Sequence, residues 1–213
     1  MRAGQEALVA AAVAHGVRDR RVLDAFRAVP RAAYVPQDLQ ARAAADRPLP
    51  IPHGQVTTQP SLIAVMIEAL ALRGDERVLE IGTGYGFQTA LLARLAAEVW
   101  SVERHGDIAA TARERLAHEE VLNAHVVVGD GSLGLPEHSP YEAIVVAAAF
   151  PTVPPPLVDQ LKQGGRLVQP IGPGGAEDVV LFRRGAHGLI RLRTLTGAYF
   201  VRLYGAHGYD PDR

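Results

Sequence analysis

The stretch VLEIGTGYG, residues 78–86, has the pattern of a buried strand that ends in a glycine-rich turn. Glycines at positions 82, 84 and 86 let the backbone turn tightly and let a ligand approach the main chain. A strand, such a turn and the start of a helix are typical of nucleotide-cofactor sites in α/β proteins. A tight turn that binds no ligand is the alternative interpretation.

Two residues of this region distinguish between cofactors. A dinucleotide fingerprint would place a glycine at position 87, where Phe87 stands. Glu80 lies just before the glycines, and an acidic side chain there is a poor neighbour for a pyrophosphate but suits a cationic amino-acid group. S-adenosylmethionine carries such an ammonium group. We therefore expect S-adenosylmethionine as the cofactor, and both residues disfavour an NAD-dependent oxidoreductase.

Strands and helices alternate on the C-terminal side of the turn. The predicted strands are Arg77–Ile81, Val99–Val102, His125–Val128, Tyr141–Ala147 and Gly165–Ile171. The predicted helices between them are Gly86–Ala97, Asp107–His118 and Pro156–Lys162. Strands separated by helices of this length predict parallel βαβ units.

The N-terminal part has a different pattern. Gln5–Ala14 and Arg20–Ala28 are predicted to be amphipathic helices, and an apolar stripe over residues 62–70 predicts a third helix. Residues 46–60 (DRPLPIPHGQVTTQP) contain four prolines, which exclude a helix interior or a central strand. Loops of this length within a domain are often functional.

The C-terminal part lacks helices. Val179–Arg183, Leu189–Leu195 and Ala198–Tyr204 are predicted to be antiparallel strands that close one edge of the sheet, with Tyr199 and Tyr204 as ordinary strand positions. We predict an α/β fold: a doubly wound, mostly parallel, Rossmann-like methyltransferase sheet with antiparallel C-terminal strands and an N-terminal helical cap. The chain is predicted to be one domain, 1–213. Residues 1–60 would form the cap and the substrate loop, and residues 61–213 the cofactor-binding core.

Acidic residues follow the next two strands. Glu103 ends the second parallel strand, where a carboxylate can accept hydrogen bonds from both ribose hydroxyls. An ion pair with Arg104 is the structural alternative. Asp130 and Gly131 follow the third strand and could meet an adenine edge, although a glycine-aspartate-glycine triplet is also a common turn. All these segments end parallel strands at the edge where open α/β sheets bind ligands.

Composition excludes several function classes. The chain has 213 residues, with 22 basic and 23 acidic side chains, so no strong field is available to hold a nucleic-acid backbone. It has no cysteine, which excludes disulfides, thiolate metal sites and cysteine nucleophiles. No histidine pair has helical spacing for zinc, and we expect no metal. Neither a signal peptide nor a membrane-length apolar run is apparent, so we expect a soluble, cytoplasmic protein without membrane contact.

Several segments together resemble the protein-L-isoaspartate O-methyltransferase family. The resemblance runs from about Val29 to Tyr209. The segments that carry it are VPRAAYVP (29–36), RPLPIPHGQVTTQP (47–60), RVLEIGTGYGFQTALLA (77–93), VWSVER (99–104), VVGDGSLGLPEHSPYEAIVVAAA (127–149) and VPPPLVDQLKQGGRLVQPIG (153–172). The proline-rich loop is a more specific sign than the glycine turn. The resemblance implies methylation of the free α-carboxylate of isoaspartyl residues in damaged proteins or peptides, followed by closure to a succinimide.

The resemblance also implies roles for individual residues. Thr58 takes the position of the family's catalytic serine, and Gln55, Val56 and Thr57 line the transfer centre with it. His53 is placed on the same substrate side, with an exposed loop histidine as the alternative. The residues expected to hold the cofactor are Glu80, Gly82, Thr83, Gly84, Gly86, Gln88, Glu103, Arg104, Asp130 and Gly131.

Some positions depart from the family pattern on the substrate side. The loop has Val56-Thr57-Thr58 in place of threonine-isoleucine-serine, and Val201-Arg202-Leu203 replaces valine-proline-leucine. These changes leave two alternatives open. One is a carboxyl methyltransferase dedicated to a biosynthetic precursor peptide, and the other is a cofactor-binding module without catalysis. We expect a monomer that acts on isoaspartyl proteins or peptides.

Overall fold

The structure, a computed structural model, describes residues 2–210, so residues 1 and 211–213 of the predicted domain lie outside the described residues. The N-terminal region contains helices α1 (Arg2–Ala14), α2 (Arg20–Ala28) and α3 (Pro60–Leu70), with the two-residue strands β1 (Leu49–Pro50) and β2 (Val56–Thr57) between them. Asp19 caps α2 by accepting a hydrogen bond from the Arg21 N–H, and Pro60 occupies the first turn of α3.

The helical cap is tied to α3 by a carboxylate. Glu68 of α3 accepts hydrogen bonds from the backbone N–H groups of Arg18 and Asp19, both at 2.6 Å. These two donors precede α2, where no helical carbonyl is available to them. The cap thus packs directly on the α/β core, and the division into residues 1–60 and 61–213 stays a prediction.

A seven-stranded sheet with the order β5-β4-β3-β6-β7-β8-β9 forms the centre of the fold. Its strands are β3 (Arg77–Ile81), β4 (Glu98–Glu103), β5 (Ala124–Val128), β6 (Tyr141–Val146), β7 (Leu161–Ile171), β8 (Glu177–Gly185) and β9 (Gly188–Ala198). The pairs from β5 through β7 are parallel, and β8 and β9 are antiparallel. The predicted mostly parallel sheet with antiparallel C-terminal strands is confirmed.

Helices cover both faces of the sheet. The remaining helices are α4 (Phe87–Ala93), α5 (Gly106–His118) and α6 (Pro155–Gln160). Apolar side chains of α1–α4 form one core with the sheet, and Leu116 of α5 joins it. Leu157 of α6 belongs to the core on the opposite face. Between β5 and β6 the chain passes from one face of the sheet to the other. Right-handed crossovers that lead away from β3 in opposite directions place their helices on opposite faces of the sheet.

The last predicted strand is wrong. Regular pairing ends at Ala198, and the chain beyond it is irregular, with isolated parallel bridges from Arg202 to Ala149 and from Tyr204 to Tyr209. Tyr199 is therefore not a strand position and is 83% exposed. At this point the Phe200 N–H donates to the side-chain carboxylate of Glu177, at 2.8 Å, rather than to a backbone carbonyl of the sheet.

Two helices also end earlier than predicted. Helix α4 ends at Ala93 rather than Ala97, and α6 ends at Gln160, so that Leu161 already belongs to β7. Within residues 2–210 no helix combines the length and apolar character needed to cross a membrane.

Candidate active site

A cavity opens at the carboxyl ends of β3, β4 and β6. It lies where the strand order reverses, because β3 has β4 on one side and β6 on the other. Ligands of open α/β sheets bind at such switch points. The free volume of the cavity is about 100 Å³, and the cavity is open to solvent.

Most of the residues predicted for the site line this cavity. They are Gln55, Val56, Thr57, Thr58, Gly82, Thr83, Gly84, Gln88, Glu103, Arg104 and Gly131. The structure thus brings the proline-rich loop together with the ends of three strands, which are far apart in the sequence.

Glycines allow the backbone to form the cavity wall. Gly82 and Gly84 have φ values of +93° and +54°, in the left-handed region that favours glycine. A Cβ on Gly131 would overlap the side chain of Ile81. The main chain is therefore exposed to a ligand at positions where a side chain would be strained or would collide.

Glu80 lies beneath the cavity rather than on its wall. Its side chain is fully buried, and Oε2 accepts hydrogen bonds from Thr89 Oγ1 and Ser101 Oγ, the latter at 2.6 Å. Burial raises the pKa of this carboxyl to about 7, although the hydrogen bonds from Ser101 and Thr89 partly oppose the shift. A positive charge placed nearby would favour the ionised form.

Three buried polar atoms at this place have no well-formed hydrogen bond to any described residue. They are Glu80 Oε1 and both polar atoms of the Gln88 amide. Buried polar groups without a partner are rare in folded proteins and often mark a ligand site. Gln88 lines the cavity and also neighbours Glu80. An acceptor-rich pair of this kind fits a cationic amino-acid group.

Glu103 holds its carboxylate at the edge of the cavity. The side chain is 6% exposed, and its two oxygens accept hydrogen bonds from the backbone N–H groups of Gly84 and His105, each at 3.0 Å. These bonds fix the carboxylate, and each oxygen retains a further lone pair. The fixed carboxylate can therefore accept from ligand hydroxyls, and no ion pair to Arg104 is formed.

Thr58 stands between two cavities. It lines the cavity at the strand ends and also a second, wider cavity under the tail of the chain, together with Val56, Ala147 and Val201. Its hydroxyl makes no hydrogen bond to another described residue, whereas the neighbouring Thr57 hydroxyl accepts one from buried Arg31 at 3.1 Å. Thr58 can therefore donate to a molecule that enters from the second cavity.

Two other residues predicted to hold the cofactor lie outside the cavity wall. Gly86 is the N-cap of α4, with a φ of +92°, and a Cβ there would press on Leu116. The Asp130 carboxylate accepts hydrogen bonds from Ser132 and from the Ala206 N–H. Burial alone would raise the pKa of Asp130, but these bonds outweigh it and hold the pKa below its ordinary value. The cofactor roles of both residues stay predictions.

His53 is exposed and does not line the cavity. Its ring stacks on His105, with centroids 4.2 Å apart, and its Nε2 lies 2.8 Å from an Asp107 carboxylate oxygen. His105 itself lines the cavity. The contact joins the proline-rich loop to the first turn of α5, and the substrate role of His53 stays a prediction.

Sequence reasoning missed part of the wall. Tyr85 and His105 directly adjoin predicted site residues, so their sequence neighbourhood could have suggested them. Arg202, Leu203 and Tyr204 come from the tail, which was predicted to be an edge strand. No local pattern places such a strand against the glycine turn.

Comparisons with known proteins agree with this geometry. The sequence profile of the family described as Protein-L-isoaspartate(D-aspartate) O-methyltransferase matches residues 3–208. A protein-L-isoaspartate O-methyltransferase of Methanoculleus marisnigri is 53% identical over 200 residues, which cover 93% of this chain and 90% of the relative.

Two solved structures have the same fold. A protein-L-isoaspartate O-methyltransferase superposes with a TM-score of 0.84 at 29% identity, over 96% of this chain and 67% of that one. A Plasmodium falciparum protein, solved with S-adenosyl-L-homocysteine, gives 0.78 at 21% identity, over 92% and 96% of the two chains. At 21% identity, the similarity to the second structure shows a shared fold alone. With a family match over nearly the whole sequence, the chain belongs to the protein-L-isoaspartate O-methyltransferase family.

Proposed function

We propose that the chain transfers a methyl group from S-adenosylmethionine to the free α-carboxylate of L-isoaspartyl residues in proteins or peptides. The observation that carries the proposal is the place of Thr58, whose side chain lies where the two cavities meet. A donor on one side and a carboxylate on the other would meet beside its hydroxyl.

The cavity at the strand ends fits the proposed cofactor. When bound, S-adenosylmethionine supplies a reactive methyl group on a cationic sulfur. Glu80 and Gln88 would hold its ammonium end, since both have unpartnered buried polar atoms. Glu103 would accept from the ribose hydroxyls. The main chain at Gly82 and Gly131 would border the cofactor closely, because a side chain would be strained by the φ of +93° at Gly82 and would collide with Ile81 at Gly131.

The acceptor carboxylate needs no general base. Its ordinary pKa is about 4, so it is ionised at neutral pH. The protein must align the acceptor at roughly 3–3.5 Å from the methyl group and exclude water. The Thr58 hydroxyl would donate a hydrogen bond to one carboxylate oxygen and leave the other free to attack. Its additional methyl group restricts the rotamers of the side chain.

We also propose that the chain works as a monomer in the cytoplasm and acts on protein rather than nucleic acid. The near balance of 22 basic and 23 acidic residues supports the choice of protein.

Conversion of an isoaspartyl peptide tests the proposed function. The methyl ester should close to a succinimide, and hydrolysis of that ring returns a part as normal aspartate. We expect the aspartyl peptide to accumulate during incubation with the protein and S-adenosylmethionine, as measured by chromatography. Thr58→Ala should slow the conversion about tenfold or more while cofactor affinity stays close to that of the parent. No aspartyl product with the parent protein would overturn the proposal.

A further inference from the structure

The second cavity extends away from Thr58 as an open groove of about 580 Å³. It shares Val56, Thr58, Ala147 and Val201 with the cofactor cavity. Anything that presents a carboxylate to Thr58 without displacing the cofactor would extend into this groove.

Apolar side chains dominate the walls of the groove. Leu62 comes from α3, and Tyr199 and Phe200 come from the tail beyond β9. Tyr199 is 83% exposed and Val56 is 39% exposed, although both are large and apolar in body. Exposed apolar side chains gathered beside a site mark a binding surface more often than isolated ones do.

The groove lacks formal charge apart from a histidine. Among the described residues that line it there is no Asp, Glu, Lys or Arg, and His15 is the single imidazole. A charged side chain held here would lose hydration without gaining a partner. An apolar or aromatic side chain would instead bury surface against Leu62 and the two rings.

The wall that carries Tyr199 is fixed from below. Glu177 is 3% exposed, and its oxygens accept hydrogen bonds from the backbone N–H groups of Ala176 and Phe200. The backbone next to Tyr199 is therefore held in place, while the ring itself projects into solvent. A fixed backbone with an exposed aromatic ring is suited to meet a flexible peptide.

We propose that this groove holds the polypeptide next to the isoaspartyl residue, and that Tyr199 determines specificity by favouring an apolar or aromatic neighbour. The inference rests on the proposed function and names the sequence context that the same site prefers. A substrate with phenylalanine or leucine beside isoaspartate should be used more efficiently than one with glycine, aspartate or lysine there.

Steady-state methylation of matched isoaspartyl peptides tests the inference. The peptides differ in one residue, either before or after isoaspartate, which is phenylalanine or glycine. We expect the parent protein to prefer phenylalanine on at least one side through a lower KM. Tyr199→Ala should reduce kcat/KM for that peptide about tenfold, as expected for one lost apolar contact, and change the glycine peptide by less than about twofold.

Two variants serve as controls. Tyr199→Phe keeps the ring and should keep the preference, and Leu122→Ala removes a side chain that is 87% exposed but lines neither cavity. Equal effects of Tyr199→Ala on both peptides, or no effect, would overturn the inference while methylation itself continues. If the parent protein binds S-adenosylmethionine yet methylates none of these peptides, the proposed function fails and the inference fails with it.

Discussion

Arg31 is a buried cation with no carboxylate at ion-pair distance among the described residues. Its guanidinium donates instead to backbone carbonyls of residues 43–47 and to Thr57 Oγ1. Burial lowers the pKa of Arg31 to about 10, which leaves it charged at neutral pH. The hydroxyl at position 57 thus serves the internal structure of the loop that ends in Thr58. The threonine at position 57, which departs from the family pattern, is therefore explained without an unusual substrate.

We expect Thr57→Val to lower the free energy of unfolding by about 1–2 kcal/mol, because a buried donor of Arg31 loses its acceptor. Turnover should fall too, because the backbone of Thr58 is continuous with the loosened strand β2. Chemical denaturation and methylation rates measure the two effects. Thr57→Ser keeps the hydroxyl and should resemble the parent. A valine variant with parental stability and rate would show that the Arg31 contact is dispensable.

Glu80 makes stability depend on pH in a defined direction. Its ordinary pKa of 4.5 rises to about 7 in the folded protein because of burial. Below 4.5 both states are protonated, and Glu80 has no effect on stability. As pH rises from 4.5 to 7 the unfolded carboxyl ionises while the folded one keeps its proton. Stability therefore falls, and the loss reaches about 3 kcal/mol above pH 7. Glu80→Gln should remove this decline in denaturant titrations at a series of pH values.

Cofactor binding should release a proton from Glu80 near neutral pH. A bound ammonium group favours the ionised carboxylate, so affinity for S-adenosylmethionine should rise as pH increases through about 7. Calorimetry in buffers of different ionisation enthalpy measures the proton released. The Glu80→Gln variant should bind S-adenosylmethionine without releasing that proton. An affinity that does not vary with pH in the parent would place the ammonium group elsewhere.

Glu103 is predicted to contribute to binding of the cofactor and not of the methyl acceptor. Glu103→Ala should weaken binding of S-adenosylmethionine about ten- to hundredfold, since a charged acceptor for the ribose is lost. Glu98→Ala is the matched control, because Glu98 lies on the same strand but outside the cavity. Titration calorimetry that gives Glu103→Ala the parental affinity would remove Glu103 from the site.

At the scale of elements, the predictions succeed where local pattern decides the structure. Strand β3 has the predicted bounds, because an apolar run lies between charged Arg77 and the glycine turn. Helix α4 is shorter than its apolar pattern suggests. The Asn123 side chain, far along the sequence, donates to the carbonyls of Ala93, Ala96 and Ala97 and so stabilises the turn into β4. No sequence window around α4 contains that residue.

The tail shows the same limit more strongly. Alternating apolar residues over 198–204 predicted a third antiparallel strand, yet this segment bridges to Ala149 and lines both cavities. Further along, Gly205 packs against Asp130, and Ala206 donates to the same carboxylate at 2.7 Å. These contacts join residues about 75 positions apart. Local periodicity carries no information about them.

Gly205→Ala tests whether the tail forms the cofactor site. A methyl group at this position would overlap the Asp130 carboxylate, and the φ of +147° is unfavourable for alanine. We expect the tail to shift and affinity for S-adenosylmethionine to fall about tenfold, because Leu203 and Tyr204 line the cavity. Gly164→Ala introduces backbone strain at φ +81° in open space and should leave affinity unchanged. Equal affinities of the two variants would mean that the tail does not support the site.

At the scale of the whole molecule, the fold gathers three strand ends, one loop and the tail around β3. The cofactor side of this site could be predicted, since it follows the carboxyl ends of consecutive parallel strands. The groove beyond Thr58 could not, because its walls come from α3 and the irregular tail. The loop and the tail meet only in the folded protein, where both line the two cavities. No local sequence signal encodes this contact.

The central claim is that the carboxylate beside Thr58 belongs to an isoaspartyl residue. The most direct measurement is transfer of a labelled methyl group from S-adenosylmethionine to two peptides that are identical except for isoaspartate or aspartate at one position. We predict that label enters the isoaspartyl peptide alone, as a base-labile ester. Equal labelling of both peptides, or none in either while the cofactor is bound, would contradict the account.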